Sequence, residues 1–276
     1  MLPGAHAAQG IGADRAAWNA PQKPFRIYGN TWYVGPHGLS AILVDTGQGL
    51  ALFDGDLPES APQIEARIRA LGFRVRDVKW LLNSHAHIDH AGGIAALQRA
   101  SGAQVLASAA GAHELESGGA DPGDPQYGSI PGYTPLKHVR VVRNHETLHL
   151  GDVAVTALFT PGHTPGSTSW TWISCESARC LHVVYADSLS AVSAPTFRFS
   201  DHPGYLADFR RSIAAVAALP CDILLTPHPG ASGFWNRVEG TANSAPLIDR
   251  SACRRYASAA AKALNARLAQ ELAAGK

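Results

Sequence analysis

Ser84-His85-Ala86-His87-Ile88-Asp89-His90 places four potential metal ligands within six residues, at 85, 87, 89 and 90. In an extended segment side chains alternate, so His85, His87 and Asp89 are expected on one side and His90, one step on, faces a neighbouring point. That geometry can serve two metals. Imidazole and carboxylate are ordinary ligands of Zn²⁺, and a site without thiolate that keeps a position open for water is catalytic rather than structural in character. The stretch predicts a metal-dependent hydrolase.

Immediately upstream, Val78-Lys79-Trp80-Leu81-Leu82 reads as a buried strand that delivers the His/Asp stretch at its C-terminal end. Downstream, Ala91-Gly92-Gly93 permits close backbone approach, and Ile94, Leu97 and Gln98 begin a helix. Further back, the short runs 25–28, 31–34, 41–44 and 51–53 are β-branched and aromatic, separated by Gly or Asn, as in an antiparallel meander. Ile64, Ile68 and Leu71 fall at i, i+4 and i+7 ahead of Gly72, which predicts an amphipathic helix with a glycine stop. Residues 1–23 are rich in Ala, Gly and Pro without periodicity and read as a tail, laid over the surface or disordered. A single domain is expected over 24–276.

Beyond the motif, 104–107 reads as a strand and 109–116 as a helix, followed by a long Gly/Pro/Asp/Tyr-rich loop over 117–137. A loop of that length in a compact domain is usually functional or mobile, and Gln126, Tyr127 and Tyr133 in it are candidates to line a pocket. The segments 138–143, 147–150 and 153–159 alternate and predict a second sheet. Thr160-Pro161-Gly162-His163-Thr164-Pro165-Gly166 is a rigid turn that fixes one histidine at a strand end, so His163 is a fifth ligand candidate. Strands follow at 168–174 and 181–185, then a helix over 206–219. The apolar run Ile223-Leu224-Leu225-Thr226 ends at Pro227-His228-Pro229, which makes His228 a sixth candidate. Ala257, Ala261, Leu264, Leu268 and Leu272 mark a terminal helix. The other histidines (His6, His37, His113, His138, His145, His149, His182 and His202) show no comparable clustering. Both halves send loops to one edge, which suggests two sheets packed face to face with helices outside.

At 276 residues and 46% hydrophobic, the chain can bury a sizeable core. Its 23 basic and 22 acidic residues leave a net charge of +1, with no basic run suited to nucleic acid or an anionic membrane, so the expected partner is a small molecule. No run of about 18 apolar residues predicts a membrane span. The start, Met1-Leu2-Pro3-Gly4-Ala5-His6, lacks the basic-then-apolar pattern of an intact secretory signal. Cys175, Cys180, Cys221 and Cys253 lie outside any C-x-x-C spacing. Three pairings into two disulfides are possible; Cys175 with Cys180 and Cys221 with Cys253 is favoured because the first two bracket a short turn, and it implies an oxidising compartment.

Taken in order, Ser-His-Ala-His-Ile-Asp-His at 84–90, Pro-Gly-His at 161–163, Ala-Asp-Ser at 186–188 and Pro-His-Pro at 227–229 resemble the metallo-β-lactamase superfamily. Within it, the stretches 185–190, 199–203 and 170–175 are most similar to subclass B3, and the likeness runs from about Pro24 to Cys253. The resemblance implies an α/β fold of αββα type, two mixed sheets face to face with helices outside. It implies two Zn²⁺ per chain, one held by His85, His87 and His163 and the other by Asp89, His90 and His228. It implies hydrolysis of the β-lactam amide bond of penicillins, cephalosporins and carbapenems by a metal-activated hydroxide. Asp89 would orient that nucleophile as well as bind metal, while Ser188 and Ser190 would hold the substrate carboxylate or a water. A monomer in the periplasm or secreted, its signal peptide removed, is expected. A rival comes from the same superfamily: in its thioesterase-like and lactonase-like members an aspartate near the position of Asp187, 24 residues after His163, bridges the two metals.

Overall fold

The computed structural model describes residues 14–241 and 245–274. His6, Met1–His6 as a whole and the first half of the tail lie outside the described residues.

Two sheets dominate. The first has seven strands in sequence order: β1 (Phe25–Tyr28), β2 (Thr31–Tyr33), β3 (Ile42–Asp45), β4 (Leu50–Phe53), β5 (Val78–Leu82), β6 (Gln104–Ala107) and β7 (Arg140–Val141). Neighbours β1 to β4 are antiparallel, as the meander predicts, and β4 to β7 are parallel, joined through helices. The second sheet runs in the order β12-β11-β10-β9-β8, made from β8 (Thr147–Leu150), β9 (Val153–Phe159), β10 (Thr168–Glu176), β11 (Arg179–Tyr185) and β12 (Ile223–Leu225). Its hairpins are antiparallel, and only β11 and β12 pair in parallel.

Period-two alternation sorts the side chains into layers. Ile42, Val44, Ala51 and Phe53 face the second sheet and meet Val155, Trp170, Trp172, Val183 and Tyr185 in a central core. The residues between them, Leu43 and Leu52, point outward and are covered by the helices Ala61–Ala70 and Ile94–Ser101. On the other side Val184 and Leu224 meet Phe209, Ile213, Cys253 and Leu264 of the helices Pro203–Ala218 and Ala252–Ala274. Because both faces of the central strands are covered, their sequences read as continuous apolar runs. The αββα arrangement expected from the resemblance is the observed one.

Two expectations change. The alternation of 138–143 predicts a strand of the second sheet, but its strand residues, Arg140–Val141, pair in parallel with β6 in the first. Alternation shows that a segment is a strand and says nothing about which sheet it joins. The ligand stretch is extended only through His87: Ile88–Ala91 is a helical turn, closed by His90 N and Ala91 N donating to His87 O at 3.0 and 2.8 Å. Asp89 and His90 are therefore aimed by a turn rather than by strand alternation. Of the two forms expected for the tail, its described part takes the one laid over the surface: residues 14–18 are helical, Arg15 forks onto the Glu59 carboxylate, and Trp18 lies 5.4 Å ring to ring from His228.

Gly93 explains the double glycine after the motif. A Cβ there would overlap Gly55 O, and the chain uses that closeness, since Gly93 N donates to Asp56 O and Gly55 N to His90 O, at 3.0 and 2.9 Å. These bonds lock the ligand turn to the turn after β4. Both disulfides have the favoured pairing, Cys175–Cys180 across the β10/β11 hairpin and Cys221–Cys253 between the start of β12 and the last helix.

Candidate metal centre

The carboxyl ends of β4, β5, β9, β11 and β12 share one edge of the sandwich, and each sends a loop into the same site. β5 delivers His85, His87, Asp89 and His90; β9 delivers His163; β11 delivers Asp187, Ser188 and Ser190; β12 delivers His228. Every ligand candidate is brought to this place.

His85, His87 and His163 cluster with ring centroids 4.7 to 4.9 Å apart and rings steeply inclined to one another. Each gives one ring nitrogen to a protein acceptor. His85 Nδ1 donates to Asp187 Oδ1 at 2.7 Å, His87 Nε2 to Asp124 Oδ2 at 2.7 Å, and His163 Nδ1 to Ser190 O at 3.0 Å. Those bonds select the tautomers that leave His85 Nε2, His87 Nδ1 and His163 Nε2 as lone-pair donors, the outer partners a metal-binding histidine requires. His85 Nε2 is buried and has no hydrogen-bond partner among the described residues. Burial, together with the neighbouring imidazoles, lowers His85 and His163 well below the usual imidazole range, which keeps them neutral, as ligation needs.

Asp89 Oδ2, His90 Nε2 and His228 Nε2 form a triangle with edges of 3.2, 3.1 and 3.2 Å. Ligands at about 2.0 to 2.1 Å from a tetrahedral Zn²⁺ stand roughly 3.3 Å from each other, so this donor set fits a cation of that size. Burial alone would raise Asp89, but the charge on His90 and bonds from both histidines outweigh it and hold the carboxylate well below its usual range. Burial would lower His90, yet the Asp89 carboxylate carries it up to about 9. The two donor sets adjoin, with the His85 and His90 rings 4.3 Å apart.

Asp187 answers a question left by the sequence: its carboxylate stands against Nδ1 of His85, on the opposite edge of the ring from the free Nε2. Ser188 and Ser190 both line the cavity over the ligands, and the Ser190 hydroxyl also lies 3.0 Å from His163 Nδ1. That cavity, about 230 Å³, is walled by Trp18, Leu57, Ile88, Ile130, Pro131 and Val192, with Arg15 and Gln126 as its other polar members. Of the loop aromatics, Tyr127 is exposed, while Tyr133 is tied by its hydroxyl to Ala86 O at 2.7 Å.

Sequence reasoning missed four participants. Asp54, at the end of β4, accepts from Asn83 Nδ2, Ser84 N, Ser84 Oγ and Tyr185 Oη, tying both sheets to the start of the ligand stretch. Asp124 and its buried neighbour Glu114 stand behind His87, and Trp18 covers His228. Lone carboxylates and a tryptophan in a tail carry no spacing signal.

The family model of the Metallo-beta-lactamase superfamily matches residues 25–228. Among solved structures, the Rm3 metallo-beta-lactamase is 53% identical with a TM-score of 0.89, covering 93% of this chain and 97% of that one. MEM-A1, a subclass B3 metallo-beta-lactamase isolated from a soil metagenome library, is 53% identical with a TM-score of 0.90, covering 94% and 100%. A probable metallo-hydrolase of Burkholderia pseudomallei (strain 1710b) is 30% identical over 200 residues, 66% of this chain. The match spans 65% of that relative's own length.

Proposed function

The chain belongs to the metallo-beta-lactamase superfamily, and from that premise we propose that it is a subclass B3 enzyme that hydrolyses the β-lactam amide bond of penicillins, cephalosporins and carbapenems, and so confers antibiotic resistance. The observation that carries the proposal is the pair of adjoining donor sets at the floor of one largely apolar cavity. Two Zn²⁺ per chain are proposed, one on His85, His87 and His163, the other on Asp89, His90 and His228. When bound, zinc supplies Lewis acidity toward a carbonyl oxygen and makes water a nucleophile near neutral pH, its pKa falling from about 15.7 to about 7.

The chain's own groups do the rest. Asp89 Oδ2 faces His90 and His228 in the second donor set, which leaves Oδ1 to accept a hydrogen bond from the attacking water and aim its lone pair at the lactam carbonyl. Asp187, Asp124 and Ser190 O hold the three imidazoles in one tautomer and orientation. Trp18, Ile88, Ile130, Pro131 and Val192 exclude bulk water from the substrate face, and Ser188 and Ser190 offer hydrogen bonds to its carboxylate.

A monomer in the periplasm or secreted is proposed; the two disulfides support an oxidising compartment. The rival reading, a lactone or thioester hydrolase with Asp187 bridging the metals, draws no support from the placement of Asp187 behind His85. Turnover of a cephalosporin, a homoserine lactone and a glutathione thioester by the zinc-loaded protein decides between them: the cephalosporin is expected to be consumed fastest, and turnover of only the lactone or thioester would overturn the proposal.

A further inference from the structure

We propose that Glu114 is a positioning residue, a carboxylic acid that donates a hydrogen bond to Asp124 and through it fixes both His87 and the wall of the substrate cavity. The inference rests on the reading that His87 holds metal.

Glu114 lies on the helix Ala109–Ser117, fully buried, and neither carboxyl oxygen meets an N–H or O–H donor among the described residues. What it does meet is another carboxyl group: oxygens of Glu114 and Asp124 and a ring nitrogen of His87 all lie within 4.8 Å of one another. Ionised carboxylates only accept, so two of them facing each other away from water repel; one proton between them turns the contact into a strong charge-assisted bond. Asp124 is the partner that stays ionised, because it already accepts from His87 Nε2 at 2.7 Å on one oxygen and from Gln126 N at 2.6 Å on the other. Glu114 has no such donors and carries the proton.

Asp124 is therefore a two-sided anchor, one oxygen on the ligand and one on the loop. The loop has a second fastening at Tyr133, whose hydroxyl donates to Ala86 O between the two histidines at 2.7 Å. Gln126, Ile130 and Pro131, the cavity wall, lie between these two points. The long loop, which the sequence left free to close or fray, is pinned at both ends of its substrate-facing part, and Glu114 is the support behind one pin.

Glu114→Gln and Glu114→Leu test this in the full chain. Glutamine keeps a donor toward Asp124 at every pH; leucine removes it. In the metal-free protein, the Nε2–H proton resonance of His87 is expected to persist in the parent and in E114Q and to be lost or shifted in E114L. Zinc affinity at the first site, read by competition with a chromophoric chelator, should stay within about threefold of the parent in E114Q and fall about 10- to 100-fold in E114L, the range for loss of an outer partner. KM for a cephalosporin should rise in E114L alone. An ionised Glu114, as a cation held by His87, Glu114 and Asp124 would need, makes the opposite prediction, so E114Q as damaging as E114L would overturn the proposal. So would an E114L protein with unchanged resonance and affinity. If E114L fails to fold, E114Q decides by itself. His87→Ala with parental zinc affinity would sink the metal reading instead, and the resonance would still judge the hydrogen bond.

Discussion

His85, His87 and His163 each lean on something outside the metal centre, whereas Asp89, His90 and His228 lean on one another. The first set has Asp187, Asp124 and Ser190 O behind it, which choose the tautomers before any cation arrives. In the second, His90 Nδ1 is buried without a hydrogen-bond partner among the described residues, and the Asp54 Oδ2 carboxylate oxygen is 4.0 Å away. Its members are held by mutual charge: Asp89 stays ionised and His90 holds a proton up to about 9. The first set is a preformed neutral site, and the second is an ion-paired cluster in which a cation must replace a proton.

The largest expected effect breaks the second set at the vertex its histidines share. Asp89→Ala should lower β-lactam turnover on the order of 10³-fold, since it removes a ligand and the group that orients water, and zinc content should fall toward one per chain. Near-normal turnover with both zincs retained would contradict the role given to Asp89. Next comes the support of the first set. Asp187→Ala or Asp124→Ala should weaken zinc binding there about 10- to 100-fold, read by chelator competition, and leave the second set's ligands in place.

Proton competition sharpens the contrast further. A proton held by His90 below about pH 9 opposes cation binding, so second-site zinc affinity should weaken as pH falls from 9, by about tenfold per unit. His85 and His163 are already neutral, so first-site affinity should change less over the same range. Equal pH slopes at the two sites, measured by calorimetric titration, would erase the difference. The smallest effect on chemistry belongs to the disulfides. Cys221–Cys253 closes 32 residues and steadies the strand that leads to His228, while Cys175–Cys180 closes 5 at a hairpin. Loop-closure entropy puts their contributions at about 4 and about 2 kcal/mol. Replacing the first pair by serine should lower the thermal midpoint more than replacing the second.

The first set and the second were equally visible in the sequence, and their supports were not. Six ligand candidates stand out because short spacing (85, 87, 89, 90) or a proline-bracketed turn (163, 228) marks them, and the apolar runs before those loops announce strands. Asp124 and Glu114 act across 37 and 27 residues of chain from His87, a distance at which a single carboxylate has no pattern. The sequence marks Asp187 as a candidate metal bridge, but its direction depends on the partner it finds. Asp89 and His90 were placed by strand alternation because the hydrogen bonds that wind Ile88–Ala91 into a turn leave no mark beyond the residues already read as ligands. Arg140–Val141 was assigned to the wrong sheet since parallel pairing with β6 is a non-local choice. The docking of Trp18 over His228 was likewise hidden in a stretch without periodicity.

The central claim is that this centre hydrolyses β-lactams with both donor sets filled by zinc. Loss of carbapenem ultraviolet absorbance, followed as zinc is returned stepwise to chelator-stripped protein, tests it most directly. The account predicts no loss without metal and a rate that climbs until two zincs per chain are bound. Undiminished hydrolysis by the stripped protein, or none from protein verified to hold two zincs, would contradict it.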